Sequence, residues 1–204
     1  MKTGAVAAGT RRSYRMGARA DAAEETALRI MDAAIALWRE VAYDEFTLQD
    51  IADRAGVSLS TVMRQFGSKE GVVEAVLSSD RVGTQRGRDE VAVGNVDAAV
   101  QMIVADYEVN GDAVIRMLAL EERIGIVRRV VEAGREAHTQ WVARVFAPLV
   151  GGSPPVRRRR QTLQLVVATD VYTWKILRRD RGMDVREVRA VMRDMCRAIV
   201  EGAA

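Results

Sequence analysis

The sequence predicts an all-α protein. Three observations carry this: aromatic residues make up only 5% of the chain and prolines number three, Ala, Val, Leu, Met, Arg and Glu dominate, and apolar residues recur three and four apart. This composition favours helices over pleated sheet. The spacing is the period of a helix with one buried face. With 204 residues, 49% of them apolar, the chain is long enough to bury a core.

The elements follow in order. Residues 1–21 read as a flexible basic arm: Lys2, Arg11, Arg12, Arg15 and Arg19 lie in a stretch poor in large apolar side chains, which cannot bury enough surface to fold alone. A first helix runs from Ala22 to about Val41, with Leu28, Met31, Ile35 and Trp38 on one stripe. Thr47 then caps a second helix, with Asp50 at the third helical position in the pattern of a capping box. That helix is short, because Gly56 follows Ile51, Ala52 and Ala55 and supplies the positive backbone angle that ends it. Ser58 caps a third helix through Phe66, with Val62 and Phe66 facing inward and Val57 plugging the turn. Gly67-Ser68 repeats the stop and the cap before a fourth helix, Lys69 to about Ser79, that buries Val72, Val73, Val76 and Leu77.

Three glycines between Gly83 and Gly94 mark a junction or the frayed end of the fourth helix. Beyond it, helices are predicted over Val96 to Val109, Asp112 to Arg123, Val127 to Leu149, Val156 to Arg181 and Val185 to Glu201. The expected organisation is therefore an arm (1–21), a first domain (22–80) and a second domain (81–204).

Charge and composition exclude several classes. The net charge of +3 is unevenly spread, with an excess of basic residues over 1–22, of acidic residues over 23–80 and of basic residues again over 81–204. A nucleic-acid contact would have to be locally focused. The single cysteine, Cys196, forms no internal disulfide, and with one histidine cannot supply a structural zinc site. No cofactor motif is present, and neither a Gly-rich phosphate loop nor a nucleophile elbow supports an enzyme. Without an apolar run of membrane-spanning length or a signal-peptide core, a cytoplasmic protein with no membrane partner is expected.

The second and third helices, joined by a tight turn, have the dimensions of a helix-turn-helix whose second helix fits the DNA major groove. Ser58, Leu59, Ser60, Thr61, Met63, Arg64 and Gln65 point outward from it, and Arg64 and Gln65 carry groups that can read base edges or grip phosphate. From Leu28 to Val76 the chain closely resembles the DNA-binding half of TetR family repressors: Ala-Gly-Val-Ser at 55–58, Thr61-Val62, Arg64, Phe66 and Ser68-Lys69-Glu70 fall at the family's spacing. The resemblance implies that Thr47 and Lys69 hold phosphates and that Leu59, Ser60, Thr61, Arg64 and Gln65 face the groove. Three positions differ from the family's habit: Met63 stands where a tyrosine is usual, Gln65 where His or Tyr is usual, and Ala42 where the first helix usually ends in glycine. The basic arm could enter a neighbouring minor groove, or be a solubilising tail.

The later segments beginning at Ala133 and at Val166 also look like TetR family effector domains. The resemblance implies a homodimer formed by the last two helices and a palindromic operator in double-stranded DNA, released when an unknown small-molecule effector binds. The helical stripes agree with such a bundle, and Leu163, Val167, Val171, Trp174, Val188, Met192 and Met195 are its expected interface. Tyr107, Met117, His138, Trp141, Tyr172 and Trp174 are the candidate ligand pocket, with core packing as the other reading of each. The expected function is a ligand-responsive transcriptional regulator, a repressor by resemblance. The alternative, motivated by Met63 and the acidic 23–80 segment, is a dimeric ligand-binding or interaction module of the same fold with weak or no DNA binding.

Overall fold

The computed structural model describes the backbone of residues 6–79 and 82–202 and the side chains of 21–79 and 82–202. Within these residues the chain is helical throughout, with no strand. It divides into two compact units, one formed by Met1–Leu37 with Phe46–Arg81, the other by Trp38–Glu45 with Val82–Ala204. The end of the first helix, from Trp38, is thus counted with the second unit.

That helix, α1, spans Val6–Glu40 and starts well before the expected Ala22. The backbone of 6–21 therefore belongs to the same helix as 22–40. The arm's basic side chains lie outside the described residues. In the first unit, α1 buries Ile30, Met31, Ala34 and Ile35; of the expected stripe, Met31 and Ile35 are buried and Leu28 is half-buried. Three short helices follow: α2 (Leu48–Ala55), α3 (Leu59–Phe66) and α4 (Lys69–Ser79). Ile51 and Ala52 from α2, Val62 from α3 and Val72 from α4 have no exposed surface and make the centre of this unit. Leu77, expected in that core, is 47% exposed because only Val72 and Val76 lie on the inward face of α4.

The second unit begins with the end of α1, whose last carbonyls at Trp38 and Arg39 accept hydrogen bonds from Arg116. Arg39 in turn donates to the buried Asn110 at 2.9 Å. The expected junction at 83–94 contains a short helix, α5 (Thr84–Asp89). Next comes α6, a single helix over Val96–Leu118 where two were predicted. The break expected near Gly111 is absent because that glycine serves packing. A Cβ there would lie 2.5 Å from the Trp174 ring, so its lack lets the indole lie directly on the helix backbone.

After α7 (Gly125–Val145) and the single turn α8 (Ala147–Val150), the chain forms α9 (Pro155–Ala168). The long helix predicted to Arg181 is interrupted here. Thr169 turns its hydroxyl onto the Leu165 carbonyl at 2.7 Å, and Asp170 caps the next helix by accepting from the Tyr172 amide at 2.8 Å. Both are local bonds that compete with helix continuation. The chain resumes as α10 (Val171–Lys175), which widens into a π-helical turn over Ile176–Asp180. Glu108 of α6 anchors it by accepting from Trp174 Nε1 at 2.8 Å and Arg178 Nε at 3.1 Å, and Asp112 pairs twice with Arg179 at 2.9 Å. The hydrogen bonds from Arg179 hold the Asp112 carboxyl below its ordinary range. Finally α11 (Val185–Glu201) starts at a capping box of Asp184 and Glu187. The core of this unit gathers Ile103, Val104, Tyr107, Val142, Phe146, Leu165, Trp174, Val188, Met192 and Cys196.

Candidate nucleic-acid interface

The first candidate site is built by caps and a turn. Thr47 Oγ1 accepts from the Asp50 amide at 3.2 Å while the Asp50 carboxylate accepts from the Thr47 amide at 2.7 Å, so two otherwise unpaired donors are satisfied reciprocally. The Thr47 hydroxyl also donates to Asp50 at 2.7 Å. These bonds lower the Asp50 pKa from its ordinary value, with the Thr47 side chain the largest cause. At the other end of α2, Gly56 adopts φ 66° and ψ 38°, a left-handed conformation that only glycine enters without strain. The Val57 amide then closes onto Ala52 at 3.0 Å, and Arg29 of α1 donates to the Ala55 carbonyl.

Ser58 starts α3 by accepting from the Thr61 amide at 3.2 Å, and its hydroxyl also lies 2.9 Å from those of Ser60 and Thr61. This helix presents Leu59, Ser60, Met63 and Arg64 to solvent, with Thr61 half-buried beside them. Leu59 is 37% and Met63 49% exposed, so two large apolar side chains sit on the outer surface of a short helix. Gln65 departs from the expectation that it faces outward. Its amide donates to the Ala23 carbonyl on α1 at 3.1 Å, and its Oε1 is buried without a partner. It ties α3 to α1 in this conformation.

Lys69 opens α4, half-buried, with its ammonium donating to the Phe46 carbonyl and lying 4.1 Å from the Phe46 ring centre. Its charge is thereby held next to Thr47. Sequence reasoning missed the role of Gly71, where a Cβ would stand 2.0 Å from the Phe66 carbonyl oxygen. The first turn of α4 can abut the end of α3 only because this residue has no side chain.

Residues 30–76 match the family described as bacterial regulatory proteins, tetR family. They contain the whole α2–turn–α3 unit and most of α4. This stretch is a TetR-family segment. Among curated proteins, the uncharacterized HTH-type transcriptional regulator YvkB of Bacillus subtilis (strain 168) is 46% identical over 50 residues, which is 24% of this chain and 26% of that protein. The similarity therefore spans about a quarter of the relative's length. Among solved structures, Mycobacterium smegmatis AmtR overlays 84% of each chain at 19% identity with a TM-score of 0.46. Within the TetR-family segment, the expected contact residues Thr47, Ser58, Leu59, Ser60 and Arg64 are all exposed, as is Met63.

In the second unit the candidate pocket residues do not all converge. Tyr107, His138, Trp141 and Trp174 are buried, and the Tyr107–Trp174, His138–Trp141 and Trp141–Phe146 ring centres lie 5.9, 5.6 and 6.5 Å apart. Tyr107 donates to the Thr169 carbonyl at 3.0 Å. Tyr172 is instead 50% exposed, and Met117 is buried near the C-terminal end of α6. Burial depresses the His138 pKa to about 4, with the Arg88 charge adding to the effect.

The expected interface residues also divide. Leu163, Val167 and Met195 are exposed at 54%, 62% and 38%. Val171, Trp174, Val188 and Met192 belong to the unit's own core, because α10 and α11 pack on α6. Cys196 is fully buried, and burial pushes its thiol up to about 12. Such a thiol is not a nucleophile at neutral pH. Among the described residues no helix is long and apolar enough to cross a membrane, and no group of side chains is placed to hold a metal ion.

Proposed function

We propose that this protein is a dimeric, ligand-responsive transcriptional regulator of the cytoplasm, a repressor that holds a palindromic operator through α2 and α3. The observation that carries the reading is α3 itself: eight residues capped at both ends, locked by Val62 and presenting Ser60, Met63 and Arg64 outward. A helix of that length and polarity fits the major groove, and one copy reads too few base pairs alone. In this reading Arg64 reads a base edge or phosphate. Thr47 and Lys69, brought together around Phe46, receive a phosphate at the entry to α2. Met63 supplies apolar contact where the family usually offers a hydroxyl. Leu163 and Val167, one turn apart on α9, together with Met195 on α11, supply the self-complementary apolar face a twofold dimer needs. An effector bound in the second unit would favour a geometry with lower operator affinity.

The test is a fluorescence-anisotropy titration against DNA from immediately upstream of the protein's own gene, at two salt concentrations. Arg64→Ala is expected to weaken binding by about 10- to 100-fold, and Lys69→Ala to reduce the salt dependence by about one phosphate contact. Weak binding, indifferent to sequence and to both substitutions, would instead establish a ligand-binding module that does not use this face.

A further inference from the structure

The second unit holds a buried cation without a counter-charge. Arg88, on α5, is only 7% exposed, and among the described residues no carboxylate pairs with it. Its Nε has no hydrogen-bond partner, and its guanidinium carbon lies 6.0 Å from the centre of the Trp141 ring. Its Nε is fully buried while no anion stands beside the guanidinium, and a cation drawn this far into an apolar interior is costly without one. Neighbouring Arg144 secures the strand of chain that carries it, donating to the Arg88 carbonyl at 2.7 Å and lying 3.8 Å from Asp89.

Two further buried polar atoms near the same indole are unsatisfied. Trp141 is 3% exposed and its Nε1 donates to nothing. His138, one turn earlier on α7 and 6% exposed, has Nε2 3.2 Å from Thr169 Oγ1 and 3.4 Å from the Val166 carbonyl, while Nδ1 has no partner. The Thr169 hydroxyl spends its proton on Leu165, so Nε2 carries the proton and donates. Nδ1 is then a free acceptor. A buried arginine, an indole N–H and an imidazole lone pair left open around one ring make a donor–donor–acceptor set, and buried polar groups are normally satisfied.

We propose that this cluster is a binding site for a small organic hydroxycarboxylate. Its carboxylate pairs with Arg88 and accepts from Trp141 Nε1, and its hydroxyl donates to His138 Nδ1. Phe146, edge-on to the Trp141 ring, and Tyr107 belong to the same buried core and are the apolar side chains the ligand's body would displace or lie against. The proposal names the effector class of the ligand-responsive function proposed above, and rests on that reading for its regulatory meaning alone.

The experiment is a thermal-unfolding series on the full chain without DNA, using 3-hydroxybenzoate and 3-hydroxybutyrate as probes and neutral 3-hydroxybenzamide as the control. One or both acids are expected to raise the midpoint and to quench tryptophan emission at millimolar concentration, with the amide inactive. Arg88→Met should abolish the response and raise the ligand-free midpoint by about 3 °C, since it removes an uncompensated buried charge. Trp141→Phe, which keeps an aromatic ring and loses the N–H, should weaken the responding acid by about 10-fold. No shift with either acid, or a shift retained in both variants, would overturn the proposal. Operator binding by the ligand-free protein is measured separately, so loss of one reading leaves the other intact.

Discussion

On α3, Arg64 and Gln65 are neighbours with the same chemical promise and different fates. Arg64 projects into solvent, while Gln65 is drawn onto the Ala23 carbonyl. Residue type and spacing identified both as possible readers of DNA. The difference came from the path of α1, a tertiary partner 42 residues away. His138 shows the same dependence in its charge. Its pKa of about 4 lies below the ordinary value, so on acidification the unfolded chain takes up a proton that the folded one refuses. Stability from this residue is fully present above about pH 6.5 and is lost as pH falls towards 4, by about 3 kcal/mol in all. Urea titrations at pH 7.5 and pH 5 should therefore show a larger acid loss in the wild type than in His138→Gln, which cannot ionise. An equal loss in both would place the histidine's titration in its ordinary range.

At the scale of elements, the first unit is specified by punctuation that reads directly off the chain. Thr47 with Asp50, Gly56 and Ser58 set the ends of α2 and α3 where the sequence pattern placed them, because caps are satisfied by residues three positions away. Thr47→Ala should cost about 1 kcal/mol of unfolding free energy, read from denaturant midpoints. Gly71→Ala is the more severe change. Its new methyl would meet the Phe66 carbonyl, so α4 must shift away from α3. A loss of about 2 kcal/mol is expected, with operator binding reduced even under conditions where the protein remains folded. Nothing in the sequence separates Gly71 from an ordinary helix glycine, because the obstructing atom is backbone. Gly111 is the opposite case: the two helices predicted on either side of it are one, and its position under Trp174 makes it a contact residue.

For the whole molecule, the decisive division is between the apolar residues that fold the second unit and those left outside it. The helical stripes on α9 to α11 gave one list, which burial splits in two. Val167→Glu changes a side chain that is 62% exposed. On the dimer proposed above, it is expected to leave the protein monomeric in sedimentation equilibrium, with the melting midpoint of the protomer unaltered at low concentration. Met192→Ala, with no exposed surface, should instead destabilise the protomer by about 2–5 kcal/mol. A Val167→Glu protein that remains dimeric would locate the interface elsewhere.

The sequence by itself determined the all-helical class, the limits of α2, α3 and α4, and the outward set of Ser60, Met63 and Arg64. Each depends on interactions within a few residues or on a repeating apolar face, both of which are linear patterns. Tertiary structure alone decided that Gln65 turns inward and that Arg88 joins His138 and Trp141 in one buried cluster. Those outcomes depend on which distant groups compete for a hydrogen bond or share a low-dielectric interior, and 50 residues separate Arg88 from His138 in a chain whose pattern marks neither as part of a pair.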